Sequence, residues 1–416
     1  MSQPSQPGET VAGSRQRPRL PLNVALLGCV SLLTTISSAM VYSLLPVFLV
    51  KVLGASMAFV GVIEGTAEAA NSLMRVLSGV ASDWLGRRKP LVVIGYTMSA
   101  VNKLMFPIAD SVSIVLAARV IDRVGKGIRD APRDAFMTDL IPTEIRGSGF
   151  GLRLTFYTTG FVLGPLAAIG LMMLSGDNFR LVFWVAVIPA FLAIAVLLFA
   201  VKEAPHNTTG GESFPGIHIG DLVRLPGLFW WSMVIACLLA LARFSMAFLV
   251  LKAHDVGLDP AFVPIMLVVM HAVYSAAAYP FGLLADYMDR RLQLGLGALL
   301  LITAHVVLAN AATIEMTALG AALWGLQFAV TQGLLGASIA DAAPDNLRGT
   351  AFGIYDLATG VATFSASAGA GVFWMIGGPI LTFGAGAGVA ALAMVMLLVR
   401  PMPKLAKSIC PNPGMH

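Results

Sequence analysis

DLIPTEIRGSGFG, running from Asp139 to Gly151, returns as DAAPDNLRGTAFG from Asp341 to Gly353, with Asp, Pro, Arg, Gly, Phe and Gly at matching places. A second stretch, GVASDWLGRR from Gly79 to Arg88, returns as GLLADYMDRR from Gly282 to Arg291 at nearly the same offset. Two separate elements repeated in the same order make a chain of two related halves. Both elements sit between long apolar runs, which places the duplication in a membrane.

Composition leads to the same place. The chain is 57% hydrophobic and 12% charged, with a mean hydropathy of +0.82, against about 25% charged residues in ordinary soluble domains. Apolar runs of roughly 20 residues recur along the length, each long enough to cross a hydrocarbon core as a helix that satisfies its own backbone. The predicted class is an all-α polytopic membrane protein of about twelve spans, arranged as two pseudo-symmetric six-helix bundles. Spans are expected at 23–50, 57–82, 90–109, 112–127, 148–174 and 180–201, then at 228–252, 260–286, 292–311, 314–340, 350–376 and 379–399. The corresponding division is a tail at 1–22, a bundle at 23–201, a breaker-rich linker at 202–227, a bundle at 228–399 and a tail at 400–416.

Lys and Arg collect on alternate loops: Arg15, Arg17 and Arg19 in the first tail, then Arg87, Arg88 and Lys89, Arg129, Arg133 and Arg146, Arg290, Arg291, Arg348 and Arg400. The positive-inside rule then puts both termini in the cytoplasm, and the +5 net charge reads as a topology signal and not a nucleic-acid footprint. The tail leads directly into a full-length span, so no removable signal is expected. Three cysteines, Cys29, Cys237 and Cys410, make no disulfide framework and no paired metal-ligand spacing, although Cys29 and Cys237 could contact a soft metal. His254, His271 and His305 are scattered and read as hydrogen-bonded helix residues.

The second span carries the sharpest polar pattern. Glu64, Glu68, Asn71 and Arg75 fall at i, i+4, i+7 and i+11 on one helical face. A charge facing lipid at mid-span costs at least ~2.5–3.5 kcal/mol, so this face looks into the bundle or a wet cavity. Burial favours the neutral form of a carboxylate, which suits Glu64 or Glu68 to carry a proton or a cationic solute, with Arg75 competing. A buried ionic network that only locks helices is the plain alternative. Lys103 in the third span, Arg119 and Asp122 in the fourth, Arg153 in the fifth, Arg243 in the seventh and Asp356 in the eleventh also need partners. Arg119 and Asp122 are close enough to pair within one helix.

Two six-helix halves, each with a basic Gly-Asp-Arg loop after its second helix, resemble the major facilitator superfamily of secondary transporters, and the resemblance covers nearly the whole chain. Ile63-Glu64-Gly65-x-Ala67-Glu68 and the run from Asp122 and Arg123 through Gly125, Lys126, Gly127, Ile128, Arg129, Pro132, Arg133 and Asp134 are similar to a bacterial and archaeal branch of that family. The resemblance implies a gate latch at Gly79, Asp83, Gly86, Arg87, Arg88, Asp139 and Arg146, and at Gly282, Asp286, Arg290, Arg291, Asp341 and Arg348. In physical terms, Asp83 at a helix C-terminus needs compensating cations, and Arg87 and Arg88 lie next to it. The second copy has Asp289 where the first has Gly86. In the fifth span Gly160-x-x-x-Gly164-Pro165 resembles an element of proton-driven exporters, and small residues at this spacing also serve plain helix packing.

No phosphate loop and no nucleophile signature is present, so neither ATP nor an enzymatic reaction is expected. The sequence therefore reads as a monomeric, proton-coupled carrier without cofactor or resident metal, moving a small molecule or ion across the inner membrane by alternating access, outward. Efflux of a toxic metal or metalloid, and uptake of a nutrient or metal chelate, are the alternatives. Glu64 and Glu68 suit cations, whereas Arg75, Lys103, Arg153 and Arg243 suit an anion.

Overall fold

The structure is a computed structural model that describes residues 21–85, 88–141, 145–201, 225–285, 288–331, 334–344 and 347–399. These residues are helical throughout, apart from short turns. The first six helices are α1 (Leu22–Val52), α2 (Met57–Leu85), α3 (Lys89–Ile108), α4 (Val112–Leu140), α5 (Arg146–Ser175) and α6 (Phe179–Phe199). The second set begins with α7 (Gly227–Asp255), α8 (Ile265–Ala285), α9 (Arg290–Asn310) and α10 (Ile314–Thr331, continued by Leu334–Ala342). The stretch Arg348–Val399 is non-helical at Gly377 and Gly378, where it folds back. Its arms, 348–376 and 379–399, are α11 and α12.

Among the described residues nine stretches are long and apolar enough to cross a membrane. One of the nine holds both α11 and α12, and the charged α2 and α4 bring the described spans to twelve. The chain is thus an all-α, multi-pass membrane protein. The candidate linker falls almost wholly on 202–224, outside the described residues.

Several boundaries differ from the sequence expectation, and the differences are informative. α4 runs to Leu140 instead of residue 127, because the charges that seemed to end it pair chiefly with one another along the helix, with Arg153 of α5 and Ser99 of α3 joining them, instead of facing lipid. α8 starts at Ile265, since residues Asp259–Pro264 form turns held by Asp259. α7 is broken in mid-span: Gly227–Ala242 ends, Arg243 to Ser245 are unwound, and the helix resumes at Ala247. α1 closes with a π-helical turn at Phe48–Val52.

Helices α1 to α6 pack among themselves, as do α7 to α12, and the two sets meet along α2 with α11, α5 with α8, and α1 with the second part of α7. Glycine permits the tightest of these crossings. A Cβ on Gly61 would strike the Ser367 carbonyl, and one on Gly371 the Met57 carbonyl.

The apolar core shows which end of the molecule is shut. At the end away from the basic loops one continuous cluster joins both halves, including Leu44, Phe48, Phe106 and Phe183 with Phe248, Leu251, Met266 and Trp374. Toward the basic loops the buried apolar residues divide into separate clusters, one within the first half (Val24, Leu27, Tyr96, Phe136, Ile194) and two within the second (Ile235, Leu294, Leu397; Phe229, Met233, Ile339). Among the described residues the apolar core common to both halves therefore lies at the end away from the basic loops.

Candidate functional site

A cavity of about 430 Å³ lies between the halves, with Glu64, Glu68, Arg119, Arg123 and Lys126 on one wall and Arg243, Phe244 and Ser245 of the broken α7 on the other. A second cavity of about 390 Å³ shares Thr34, Thr35, Lys126, Arg129, Tyr157, Phe161 and His271 with it. That one continues along Asp130, Arg133, Asp134 and Arg153 toward the basic end. Together they form a vestibule leading to mid-span.

Glu64 and Glu68 face α4, and the ladder of α4 charges explains why. Arg119 donates twice to Glu64, Nε at 2.8 Å and Nη2 at 2.6 Å. One turn on, Arg123 pairs with Glu68 at 2.7 Å. Both guanidinium groups sit over the Tyr42 ring of α1, at 3.8 and 5.1 Å from its centroid. The two glutamates and two arginines are spaced alike because helices that lie side by side repeat their contacts every turn. Gly125 and Gly127 make this neighbourhood possible: a side chain on Gly125 would press on Ser99 of α3, and one on Gly127 on Asn71 and Met74 of α2.

Asp122 does not pair with Arg119. It turns toward α1 and α3, where Tyr42 donates its hydroxyl to Asp122 and the Lys103 ammonium lies 3.5 Å away. Lys103, only 1% exposed, also donates to Ser38 at 3.0 Å and stands 5.0 Å from the Tyr42 ring. Tyr42 is thus a hub for both pairs. An isolated tyrosine in an apolar span gives no sequence signal of that.

The remaining α2 residues separate from the acids. Arg75 reaches across to Asp356 of α11 at 3.9 Å, and the Asn71 side-chain oxygen is buried without a hydrogen-bond partner. Arg75 therefore does not compete for Glu64 or Glu68 in this conformation. Arg153 meets Asp134 at 3.4 Å, beside Arg133, which bonds both Asp130 (2.9 Å) and Asp134 (3.0 Å). Arg129 stacks on Tyr96 at 4.4 Å and donates to Ser99.

Ser245 is the residue that the sequence hid. Its hydroxyl donates to Glu64 Oε2 at 3.1 Å, so the unwound turn of α7 in the second half grips an acid of the first. Uniformly apolar flanks gave no hint of a break there. Beside it, Arg243 donates to the Leu239 carbonyl and lies 5.8 Å from the Phe328 ring.

Of the latch candidates, Arg88 pairs with Asp139 at 2.6 Å, and Arg290 pairs with Asp341. Lys89 donates to the Val201 carbonyl, as Arg291 does to those of Leu397 and Leu398. The structural counterparts are hence Arg88 with Arg290 and Lys89 with Arg291, one residue out of register with the sequence match. Both ion pairs stay within their own half. Gly79 and Gly282 have room around them, Gly79 meeting only Ala131 at 3.9 Å. Gly86, Arg87 and Asp286 lie outside the described residues, as do the side chains of Asp83, Arg146 and Arg348.

In α5, Gly160 and Gly164 pack on α1, where added Cβ atoms would lie 2.7 Å from Thr35 and from Ala39, and Pro165 sits within the helix. His271 stacks on Phe161 across the α5–α8 contact at 4.4 Å, and His305 lies among Phe244, Trp324 and Phe383. Among the described residues no three His, Cys, Asp or Glu side chains gather as a metal site would require.

The Major Facilitator Superfamily profile matches residues 27–252 and 233–409. An uncharacterized MFS-type transporter of Methanocaldococcus jannaschii is 30% identical over 385 residues, covering 91% of this chain and 95% of the relative. The inner membrane transport protein YajR of Escherichia coli is 26% identical over 346 residues, 79% of this chain and 72% of that protein. A crystal structure of a peptide transporter in complex with sulfate superposes with a TM-score of 0.75 at 14% identity, covering 92% of this chain and 95% of the other.

Proposed function

This chain belongs to the Major Facilitator Superfamily, a family of membrane transporters and not of enzymes, and from that premise we propose that it is a proton-coupled carrier. It moves a small solute outward across the inner membrane by alternating access, as a monomer with both termini in the cytoplasm. The basic loops support that orientation. The Escherichia coli relative, an inner membrane transport protein by name, supports the inner membrane.

One observation carries the reading: Glu64 of the first half is held at once by Arg119 and by Ser245 of the second half. Protonation of Glu64 removes the charge that Arg119 pairs with and disturbs the link to the α7 break. A proton taken up there biases the two halves between arrangements, as rocking of one bundle against the other needs. Glu68, one turn nearer the basic end, passes through the same choice with Arg123.

The conformation fits a carrier open to the cytoplasm. The far end is sealed by the apolar cluster common to both halves, while the vestibule leads toward the basic end. Arg88 and Arg290 pair within their own halves, as a released latch would. Outward direction rests on the Gly160, Gly164 and Pro165 element, whose glycines here pack α5 on α1.

The test is flux into proteoliposomes holding the full chain, with an imposed pH gradient and a panel of anions, cations, metals and chelates. A gradient-stimulated flux should be lost in Glu64→Gln and in Glu68→Gln while both variants remain folded in the bilayer. Wild-type flux in both would remove proton coupling through these acids.

A further inference from the structure

We propose that the carried solute is an organic anion with an apolar body, gripped between Lys126 of the first half and Arg243 of the second. This rests on the carrier reading above and names the solute class for the same cavity.

Charge in the vestibule is the first ground. Its walls present eight cationic and four acidic side chains. Six of the cations have a carboxylate within 4 Å, five of them in pairs with wall acids and Arg75 with Asp356. Lys126 and Arg243 are the other two: among the described residues neither has a carboxylate within 4 Å, Lys126 having Asp122 and Asp130 one turn to either side on α4 and Arg243 having no acid on its own wall. A cation screened from bulk water attracts an opposite charge, and an anion entering from the vestibule supplies one.

The second ground is that the two glutamates are already engaged by arginines. Glu64 is already bidentate to Arg119 and accepts from Ser245, and Glu68 is bound to Arg123. Among the described residues Arg119 Nη1 and Arg123 Nε are buried without a hydrogen-bond partner. A cation would meet surplus positive charge, and an anion would meet surplus donors.

Placement and shape complete the argument. Lys126 lines both cavities from α4, whereas Arg243 sits at the unwound turn of α7 on the opposing wall. An anion touching both is a bridge between the halves, so its presence is felt by each. Around them Phe161, Phe244, Phe328, Tyr157 and Met246 supply apolar and aromatic surface, suited to a solute whose charge is at one end. Such pockets fix orientation with a few polar groups in an apolar wall.

Calorimetric titration of the purified full chain with naphthalene-2-sulfonate, neutral 2-naphthalenemethanol and tetraphenylphosphonium tests this directly. The sulfonate should bind at least ~10-fold more tightly than the neutral isostere, a factor worth about 1.4 kcal/mol. Arg243→Gln and Lys126→Gln should each remove most of that advantage and leave the neutral compound unchanged. Arg243→Lys, which keeps the charge, should restore part of it and guards against a folding defect. The proposal falls if the phosphonium binds more tightly than the sulfonate, if the sulfonate binds no better than the alcohol or not at all, or if both Gln variants retain the preference. Proteoliposome flux separates this failure from that of the carrier reading. Gradient-driven flux of cations alone ends the anion proposal and leaves the carrier, whereas no gradient-driven flux of any solute ends the carrier.

Discussion

Glu64 is bound by Arg119 of α4 and Ser245 of α7, and Arg119 in turn lies over the Tyr42 ring of α1. Removing one member of a buried pair leaves the other charge stranded, at a cost of roughly 3–5 kcal/mol. Glu64→Gln should therefore lower the thermal unfolding midpoint in detergent, and Glu64→Gln with Arg119→Gln should recover most of the loss. Equal loss in single and double variants would mean that the two residues are not coupled. Tyr42→Phe keeps the ring under Arg119 but strips the hydroxyl from Asp122, and the expected loss is about 1–3 kcal/mol. Sequence periodicity made Glu64 and Glu68 legible as inward-facing, since lipid would not accept them. It could not say which helix they meet: spacing within α2 fixes a face, while the choice of Arg119 and Arg123 depends on how α4 is threaded between α2 and α3 at Gly125 and Gly127. Ser245 and Tyr42 gave no signal because a single hydroxyl is common in any span.

α2 and α11 lie against each other closely enough that the Gly61 and Gly371 positions admit no side chain without moving backbone. Overpacking of this kind costs typically about 1–3 kcal/mol, so Gly61→Leu should lower the unfolding free energy by about that much and raise the thiol reactivity of a Ser367→Cys probe, which is fully buried at 0% exposure. Gly170→Leu, where a Cβ meets nothing within 4 Å, is the control and should stay within about ±0.5 kcal/mol of wild type. Similar behaviour of the two variants would mean that α2 and α11 do not pack as described. Ends and breaks of helices were the least legible feature at this scale. The end of α4 was misread because charge density in sequence looks like a loop, whereas Arg129, Asp130, Arg133 and Asp134 satisfy one another and their neighbours along the vestibule. The break in α7 was invisible because Ala242, Met246 and Ala247 continue the apolar run on either side of it and Phe244 continues it within.

For the whole molecule, duplication was the feature most openly written in the chain, and the paired contacts of Arg88 with Asp139 and Arg290 with Asp341 are its three-dimensional counterpart. Which end is open was not written there, because both arrangements of a two-state carrier use one sequence and differ only in which surfaces are buried. The answer lies in the apolar clusters. A core shared by both halves resists parting, as parting it exposes large side chains such as Phe48, Phe248 and Trp374, each worth roughly 1.5–3 kcal/mol when buried. Cores confined to one half set no such resistance. In a chain from which Cys29, Cys237 and Cys410 have been removed, Tyr157→Cys, which lines the vestibule, should label rapidly with a membrane-impermeant maleimide in inside-out vesicles and slowly in right-side-out vesicles. Phe248→Cys, buried in the shared cluster at 0% exposure, should resist labelling from both sides at rest. Adding Gly61→Leu should loosen the seal between the halves and make Phe248→Cys reactive in right-side-out vesicles. Rapid labelling of Phe248→Cys from that side without the added substitution would place the opening at the other end of the molecule.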